Sequence, residues 1–253
     1  MNTNIKSVAH RGHAYYAPEN TLASYKLAKK NGFNYVECDI SFTKDCVPVL
    51  LHDGSIDRTS NSKGNVEDYT VEELKKFDFG SWKDKKYEGE KIPTFYEFIL
   101  LCKNLNLHPY IEIKPIDDVT KIPSCIKKCV DIVNMIGMKD KVSFISFSHQ
   151  ALIEVNKLNP NSRLGLISYK VDFNSDEFKE FIKLKNNYNE LFIDYYSKAV
   201  DDILVNNMIK YDLPLEVWVI DELDDLYNMN PYISGVTSNK LNAEIELKKH
   251  ILG

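Results

Sequence analysis

Eight short apolar runs, most of them separated by helical patterns, restrict the fold of this chain more than any other feature. Several runs are almost entirely apolar, as expected for parallel strands buried on both faces. The runs are Ser7–His10, Tyr35–Ile40, Tyr110–Ile113, Val142–Ser146, Arg163–Ile167, Leu191–Asp194, Leu215–Val219 and Gly235–Thr237. A chain of 253 residues with this alternation predicts a (β/α)₈ TIM barrel. A doubly wound open sheet is the alternative, and no Gly-rich dinucleotide loop follows the first run to favour it.

Helical patterns fill most of the gaps, bounded by capping and stop residues. They are predicted at Thr21–Asn31, Pro123–Met135, His149–Leu158, Asp176–Lys185, Ala199–Tyr211, Glu222–Met229 and Asn239–Leu252.

The unit after the second run is longer than the others. It contains a further apolar run, Val47–Leu51, and two capping boxes, Thr70 with Glu73 and Thr94 with Glu97. The second box is expected to open the helix that leads to the third strand. The remainder, at about residues 53–93, is predicted to be a small subdomain inserted in a single domain spanning residues 1–253.

Net charge and hydropathy restrict the classes of partner and the cellular location that we expect for this chain. A net charge of −5 argues against binding along a nucleic-acid backbone, which needs a basic surface. Residues 1–6 do not begin a signal peptide, and no apolar run approaches the ~20 residues that span a bilayer. Five cysteines without a C-x-x-C pair suit reduced, mostly buried thiols. We therefore expect a cytoplasmic protein without a membrane anchor, and the sequence predicts no oligomeric state.

Polar residues stand in or directly after the first predicted strands, where the active sites of such barrels lie. Glu37 and Asp39 are two positions apart on one strand and so face the same side, the barrel interior. Two unpaired carboxylates there would repel each other, and a divalent cation with oxygen ligands, Mg²⁺ or Ca²⁺, would relieve the repulsion. Glu112, on the next strand, adds a third carboxylate. The alternative is that these acids form structural ion pairs with Lys or Arg.

Basic and titratable residues accompany the acids. Lys114 lies on the same face as Glu112 and is a candidate phosphate ligand, unless the two simply form an ion pair. Arg11 follows the first strand, where its guanidinium can bind phosphate in a bidentate manner. His10 and His52 end strands near the carboxylates and are candidates for a general acid–base pair.

Taken together, these stretches resemble the glycerophosphodiester phosphodiesterase family, in order and over essentially the whole chain. The matching segments are His10-Arg11-Gly12, Pro18-Glu19-Asn20-Thr21, Glu37-Cys38-Asp39, Val49-Leu50-Leu51-His52-Asp53, Arg58-Thr59-Ser60, Gly64, Ile92-Pro93-Thr94, Glu112-Ile113-Lys114, Phe144-Ile145-Ser146-Phe147-Ser148, Trp218-Val219 and Gly235-Val236-Thr237-Ser238.

The resemblance implies a barrel that splits a small glycerophosphodiester, such as glycerophosphocholine or glycerophosphoethanolamine, into glycerol 3-phosphate and an alcohol. It implies one Ca²⁺ or Mg²⁺ held by Glu37, Asp39 and Glu112. It further implies that His10 and His52 are the acid–base pair and that Arg11 and Lys114 bind phosphate.

The chain departs from the family pattern at two strand ends. Ile220-Asp221 follows Trp218-Val219 without the Thr and Asn that are common there, and Thr237-Ser238-Asn239 stands where an Asp is common. Both positions are expected near the glycerol and alcohol, with Trp218 as a candidate wall of the pocket or as core. The competing functions are a related barrel phospholipase acting on lysophospholipids or other diesters, and a catalytically silent barrel. A silent relative is expected to lose ligands that are present here.

Overall fold

The chain forms a closed barrel of eight parallel strands with one additional antiparallel strand, as described by a computed structural model covering residues 5–114, 120, 122–185 and 190–252. The strands are β1 Lys6–Ala9, β2 Tyr35–Phe42, β3 Pro48–Leu50, β4 His108–Ile113, β5 Ser143–Ser146, β6 Arg163–Ser168, β7 Leu191–Tyr196, β8 Leu215–Trp218 and β9 Ile233–Ser238. The predicted (β/α)₈ fold is confirmed.

Helices follow the strands around the outside. They are α1 Leu22–Lys30, α2 Val71–Leu74, α3 Phe95–Leu105, α4 Ile122–Ile136, α5 His149–Leu158, α6 Asp176–Ile182, α7 Asp202–Tyr211, α8 Leu223–Tyr227 and α9 Ala243–Leu252. Both predicted capping boxes form: the Thr70 hydroxyl accepts from Glu73 N, and that of Thr94 accepts from Glu97 N. None of the helices in the described ranges is long and apolar enough to cross a membrane.

The barrel closes because β1 pairs with both β2 and β9. Strand β3 lies outside the ring and pairs antiparallel with β2, with Ile40 opposite Leu50. In the parallel pair of β2 and β4, Asp39 lies opposite Glu112. The C-terminal ends of all eight strands meet on one face, the mouth of the barrel, where the strand-end polar residues are collected.

Two apolar layers fix this framework. The larger one packs the outward strand faces against the helices, with Phe95, Phe98 and Phe144 fully buried. The barrel interior holds a smaller cluster, made of Val8, Tyr110, Ile145, Ile167 and Phe192. The interior cluster lies between the mouth and the opposite, N-terminal end of the barrel.

That N-terminal end is closed by a charged network, which we call the floor. The Arg163 guanidinium donates to Glu216 Oε1 at 2.7 Å and to the Tyr110 hydroxyl at 2.9 Å, and it lies 3.8 Å from the centre of the Phe192 ring. Lys6 donates to the same Glu216 oxygen at 3.2 Å. A Cβ at Gly235 would come within 2.6 Å of Glu216 Cδ, so only glycine leaves room there for the carboxylate.

The segment between β3 and α3 has an apolar cluster of its own. Its members are Val49, Leu51, Ile56, Val66, Leu74, Phe79 and Ile92. The Asp78 carboxylate organises the loop after Phe77, accepting from the backbone N–H groups of Gly80, Ser81 and Gly89. The segment reaches the barrel mouth through Tyr87, whose hydroxyl donates to the carbonyl of Tyr16.

Two helices start three or four residues later than predicted. The last was predicted from Asn239 and begins at Ala243, because Asn239 is held by Asp221 and cannot enter the helix. The helix predicted from Ala199 begins at Asp202, because Ser197–Ala199 form a separate 3-10 turn and Asp201 caps the α-helix.

Candidate active site

The loop after β1 brings His10 and Arg11 to the mouth. Arg11 adopts a left-handed backbone (φ 54°), its N–H donates to Glu37 Oε2 at 2.9 Å, and its carbonyl accepts from the Ser24 hydroxyl. Gly12 follows at φ 79°, and a Cβ there would lie 2.2 Å from Ser24 Oγ. Glycine is therefore required for the turn that fixes the direction of both side chains.

Three carboxylates converge below this loop. Glu37, Asp39 and Glu112 are all buried, and each offers an oxygen within 4.8 Å of those of the other two. Glu37 Oε1 accepts no hydrogen bond from any described residue, and the close contact of Asp39 Oδ1 is an ion pair with Lys114. Asn20 steadies the set by donating from Nδ2 to Asp39 Oδ2 at 2.7 Å.

Arg11 and Lys114 lie against these acids. Lys114 Nζ is 2.7 Å from both Asp39 Oδ1 and Glu112 Oε1, and Arg11 Nε is 3.2 Å from Asp39 Oδ2. The ion pair foreseen as the alternative for Glu112 and Lys114 is therefore present. Although burial opposes the shift, Lys114 and Arg11 hold the pKa of Asp39 below its usual range.

The pKa values of the other two acids, Glu37 and Glu112, are shifted in the opposite direction. Burial, and then the charges of Asp39 and Glu112, raise the pKa of Glu37 well above its usual range. Burial and the charge of Asp39 raise the pKa of Glu112 to about 7. Two of the three acids therefore ionise less readily than usual, and an added positive charge would favour their ionised forms.

The charge balance of the connected site fits a divalent cation. Five carboxylates are linked by ion pairs or hydrogen bonds to three basic side chains, so the set carries two excess negative charges when all five acids are ionised. The acids are Glu19, Glu37, Asp39, Asp53 and Glu112, and the bases are Arg11, Arg58 and Lys114. A buried carboxylate oxygen without a donor, Glu37 Oε1, in an all-oxygen set, suits Mg²⁺ or Ca²⁺.

His10 is held by a side-chain relay from the last two loops. Its Nδ1 lies 2.8 Å from Asn239 Oδ1, and Asn239 Nδ2 donates to Asp221 Oδ2 at 2.7 Å. Because an ionised carboxylate only accepts, Asp221 orients the amide with its oxygen toward His10. That oxygen accepts a hydrogen bond from the Nδ1–H group and leaves Nε2 without a proton, 3.9 Å from Glu37 Oε2. Burial, and then the charge of Arg11, lower the pKa of His10 to about 4.

His52 is held differently, by a carboxylate. Its Nδ1 lies 2.7 Å from Asp53 Oδ1, and Asp53 Oδ2 accepts from Arg58 Nε. Arg58 also donates twice to Glu19, which in turn accepts from Arg11. This chain of contacts joins the segment after β3 to the loop after β1.

Seven of the eight predicted site residues therefore meet at the mouth. They are His10, Arg11, Glu37, Asp39, His52, Glu112 and Lys114. Trp218 lies apart from them on β8, where it packs on the interior cluster and donates from Nε1 to the carbonyl of Asp194. The residues that orient the site carried no role in the sequence prediction; they are Glu19, Asn20, Asp53, Arg58, Asp221 and Asn239.

The residues at the two departures from the family pattern lie beside His10. Asp221 and Asn239, which were expected near the alcohol and glycerol, are connected with His10 by their hydrogen bonds. Ser238 joins them by donating its hydroxyl to Asp221 Oδ1 at 2.8 Å.

Known proteins share both sequence and fold with the chain. A glycerophosphodiester phosphodiesterase of Caldanaerobacter subterraneus is 37% identical over 160 residues, which is 63% of this chain and 65% of that protein. One of Bacillus subtilis is 35% identical over 169 residues, 62% of this chain and 57% of that protein. The chain thus spans less than two thirds of the length of these curated relatives.

A solved phosphodiesterase of Oleispira antarctica, in complex with the product sn-glycerol-3-phosphate, superposes with a TM-score of 0.84. It is 26% identical, and the superposition covers 98% of this chain and 97% of that one. Residues 10–242 match the glycerophosphoryl diester phosphodiesterase family as a whole. That range contains every strand-end residue of the site from His10 to Asn239, and the chain therefore belongs to the glycerophosphoryl diester phosphodiesterase family.

Proposed function

We propose that this protein hydrolyses glycerophosphodiesters to glycerol 3-phosphate and an alcohol, using a bound divalent cation. One observation carries the proposal: three buried carboxylates, two cationic side chains and two histidines with oriented rings converge at the mouth of the barrel. The product bound to the Oleispira antarctica relative supports the same substrate class.

Glu37, Asp39 and Glu112 are the residues that would hold Mg²⁺ or Ca²⁺. Such an ion would supply positive charge to the phosphoryl oxygens as negative charge develops on them. Arg11 and Lys114 act in the same direction, since each presents a cation at the edge of the carboxylate cluster. We assign both to binding of the phosphate.

The two histidines are assigned opposite proton transfers. His10 is neutral at neutral pH, and its free Nε2 can accept the proton of the attacking oxygen. His52 is backed by the Asp53 carboxylate, which pairs with the ring when the ring carries a second proton, so His52 donates to the departing alkoxide. The attacking oxygen is that of water, or the 2-hydroxyl of the glycerol with a cyclic phosphate that water then opens.

A coupled assay for released glycerol 3-phosphate tests the function. The purified chain is incubated with glycerophosphocholine or glycerophosphoethanolamine, with Mg²⁺, with Ca²⁺ or with a chelator. We expect release with one of the ions and none with the chelator. Lysophosphatidylcholine is the comparison substrate, followed by its release of choline, and faster turnover of it would make the protein a barrel phospholipase instead. No release from any diester would overturn the proposal.

Cation affinity is expected to rise with pH. Because the pKa of Glu112 is raised from 4.5 to about 7, the cation-free protein holds a proton there that binding must expel. Below pH about 7, affinity should increase by about tenfold per pH unit for each proton released. The same proton means that the stability of the cation-free protein falls as pH rises from about 4.5 to about 7, since the folded chain binds more protons than the unfolded one.

Calorimetric titration with Ca²⁺ at pH 5.5, 6.5 and 7.5, repeated in buffers of different ionisation enthalpy, measures affinity and proton release together. Glu88→Gln, on the exposed surface of the segment after β3, is the matched control and should keep the pH slope. An affinity independent of pH would contradict the assignment of Glu112 as a ligand.

Removing the relay behind His10 should lower kcat. Asn239→Leu keeps the volume and deletes the acceptor, so the His10 ring is free to change tautomer, and we expect a loss on the order of 10–100-fold. KM should change little, because Asn239 acts through His10. Nitrogen-15 NMR of the imidazole should show the Nδ1-protonated tautomer in the wild type and lose it in the variant.

Asn207→Leu, on the exposed face of α7, is the matched control and should leave kcat unchanged. Asp221→Asn offers a graded test, because an asparagine oxygen can still accept from Asn239, and the loss should be smaller. An unchanged tautomer in Asn239→Leu would mean that the relay does not orient His10.

A further inference from the structure

Four aromatic side chains stand at the ends of four consecutive strands on the mouth. Phe147 directly follows β5, Tyr169 directly follows β6, Tyr196 ends β7 and Trp218 ends β8. We call these four residues the aromatic wall. The seven clustered site residues come from the other part of the mouth, on β1, β2, β4 and the turn after β3.

The rings of the wall form one continuous surface. Trp218 contacts each of the others, with ring centres 5.0 Å from Tyr169, 5.5 Å from Tyr196 and 6.0 Å from Phe147. Despite these contacts, Tyr169 is 58% exposed, Phe147 38% and Tyr196 36%. A contiguous aromatic surface left open to solvent is typical of a binding site.

Strand spacing places the wall within reach of the phosphate site. Trp218 is paired with Thr237 of β9, and Thr237 with Val8 of β1, two residues before His10. Neighbouring strands lie about 4.8 Å apart, so β8 and β1 are separated by roughly 10 Å. On the other side, β5 is directly paired with β4, which carries Glu112. A diester bound at the carboxylates therefore has the wall beside its alcohol group.

The chemistry of the wall suits a cation. It consists of Trp, two Tyr and Phe, and the faces of such rings, Trp above all, attract positive charge. The described cation–π contacts of the protein involve other rings, so no described Lys or Arg covers the wall.

Charged side chains lie beside one end of the wall. Beside Phe147 lies a cavity of about 170 Å³ whose lining includes the charged residues Lys170, Asp172 and Glu177 together with Leu166 and Val171. An acyl chain leaving the wall in this direction would meet charge, whereas a compact head group ends at the rings.

We propose that the aromatic wall is the alcohol subsite and that it selects a quaternary ammonium head group, such as that of a choline diester. The proposal rests on the proposed diesterase function. In such a substrate only two carbons separate the alcohol oxygen from the ammonium, which matches the position of the wall beside the phosphate site. Tyr169 is the most exposed ring and is expected to contribute most directly.

The first experiment compares kcat/KM for glycerophosphocholine, glycerophosphoethanolamine and glycerophosphoglycerol, whose head group is uncharged. The wild type should prefer the choline diester. Tyr169→Leu and Phe147→Leu keep apolar surface and remove a ring, and each should reduce the preference for choline over glycerol by about fivefold to tenfold. Tyr96→Leu, at an exposed tyrosine on α3, is the matched control and should keep the wild-type ratio.

The second experiment needs no turnover. Trp82→Phe leaves Trp218 as the sole tryptophan, and its fluorescence is titrated with choline and with the uncharged isostere 3,3-dimethyl-1-butanol. We expect choline to bind more tightly and Tyr169→Leu to remove the difference. Choline binding without diester turnover would support the choline subsite and contradict the proposed diesterase function.

Three results would overturn the subsite: equal binding of choline and its isostere, a choline preference that survives both leucine variants, or lysophospholipids with choline and ethanolamine head groups cleaved equally well. The last would identify the occupant of the wall as an acyl chain.

Discussion

Replacement of His10 or His52 by alanine is expected to lower kcat by about 10²–10⁴-fold, the usual contribution of a positioned general acid or base. Each ring has its Nδ1 engaged by a fixed acceptor, so each presents only Nε2 to a substrate. The double variant should lose less than the product of the single losses, because both groups serve one reaction. Release of glycerol 3-phosphate at saturating diester measures the effect.

His108→Ala is the matched control. His108 begins β4 and so lies at the N-terminal end of the barrel, away from the mouth. Its removal should leave kcat within about twofold, because no proton transfer depends on it. If either His10→Ala or His52→Ala retained wild-type turnover, while circular dichroism showed a folded protein, the acid–base assignment would be wrong for that residue.

The two histidines should also respond differently to the loss of their partners. Asp53→Asn removes the carboxylate behind His52 and opens the link to Arg58, so it should lower kcat by loosening the orientation of the ring. His10 is backed by an uncharged amide and is neutral already. The two histidines differ because a carboxylate accepts from His52 and an amide oxygen accepts from His10.

Much of the barrel could be predicted from the sequence, because buried parallel strands are nearly continuous apolar runs. The carboxylate cluster could be predicted for a related reason. Glu37 and Asp39 are two positions apart on one strand, and this period places both on one face. Such local regularities survive folding unchanged.

The relays could not be predicted, because they join residues far apart in the chain. His10 meets Asn239 across 229 positions, and Arg58 meets Glu19 across 39. The late start of α9 has the same cause, since Asn239 is used by the site and not by the helix. Where a loop residue serves a distant partner, local helix signals place the boundary wrongly.

The charged network of the floor could not be predicted from the sequence either. Lys6 and Arg163 begin their strands, where a charged residue usually marks a surface, yet both reach Glu216 at the closed end. Glu216 has only 3% of its side chain exposed. Its pairing depends on strand order around the closed barrel, which the apolar pattern does not encode.

Loss of one charge from the floor should be the most destabilising single change away from the mouth. Arg163→Met removes the 2.7 Å partner of Glu216 and leaves that buried carboxylate with Lys6, at 3.2 Å. Breaking a buried ion pair from one side typically lowers the free energy of unfolding by about 3–5 kcal/mol. Urea unfolding measures the change.

Two further variants separate charge from packing. Arg163→Met combined with Glu216→Leu leaves no unpaired charge, so it should recover much of the loss; a double variant as unstable as Arg163→Met would mean that lost packing over Phe192 dominates. Lys185→Met breaks the exposed pair with Asp212 and should lower the free energy of unfolding by less than about 1 kcal/mol.

Because the floor and the mouth are at opposite ends of the same strands, Arg163→Met should lower stability while the folded fraction keeps its kcat. A loss of kcat in fully folded Arg163→Met would instead show that the floor controls the geometry of the carboxylates.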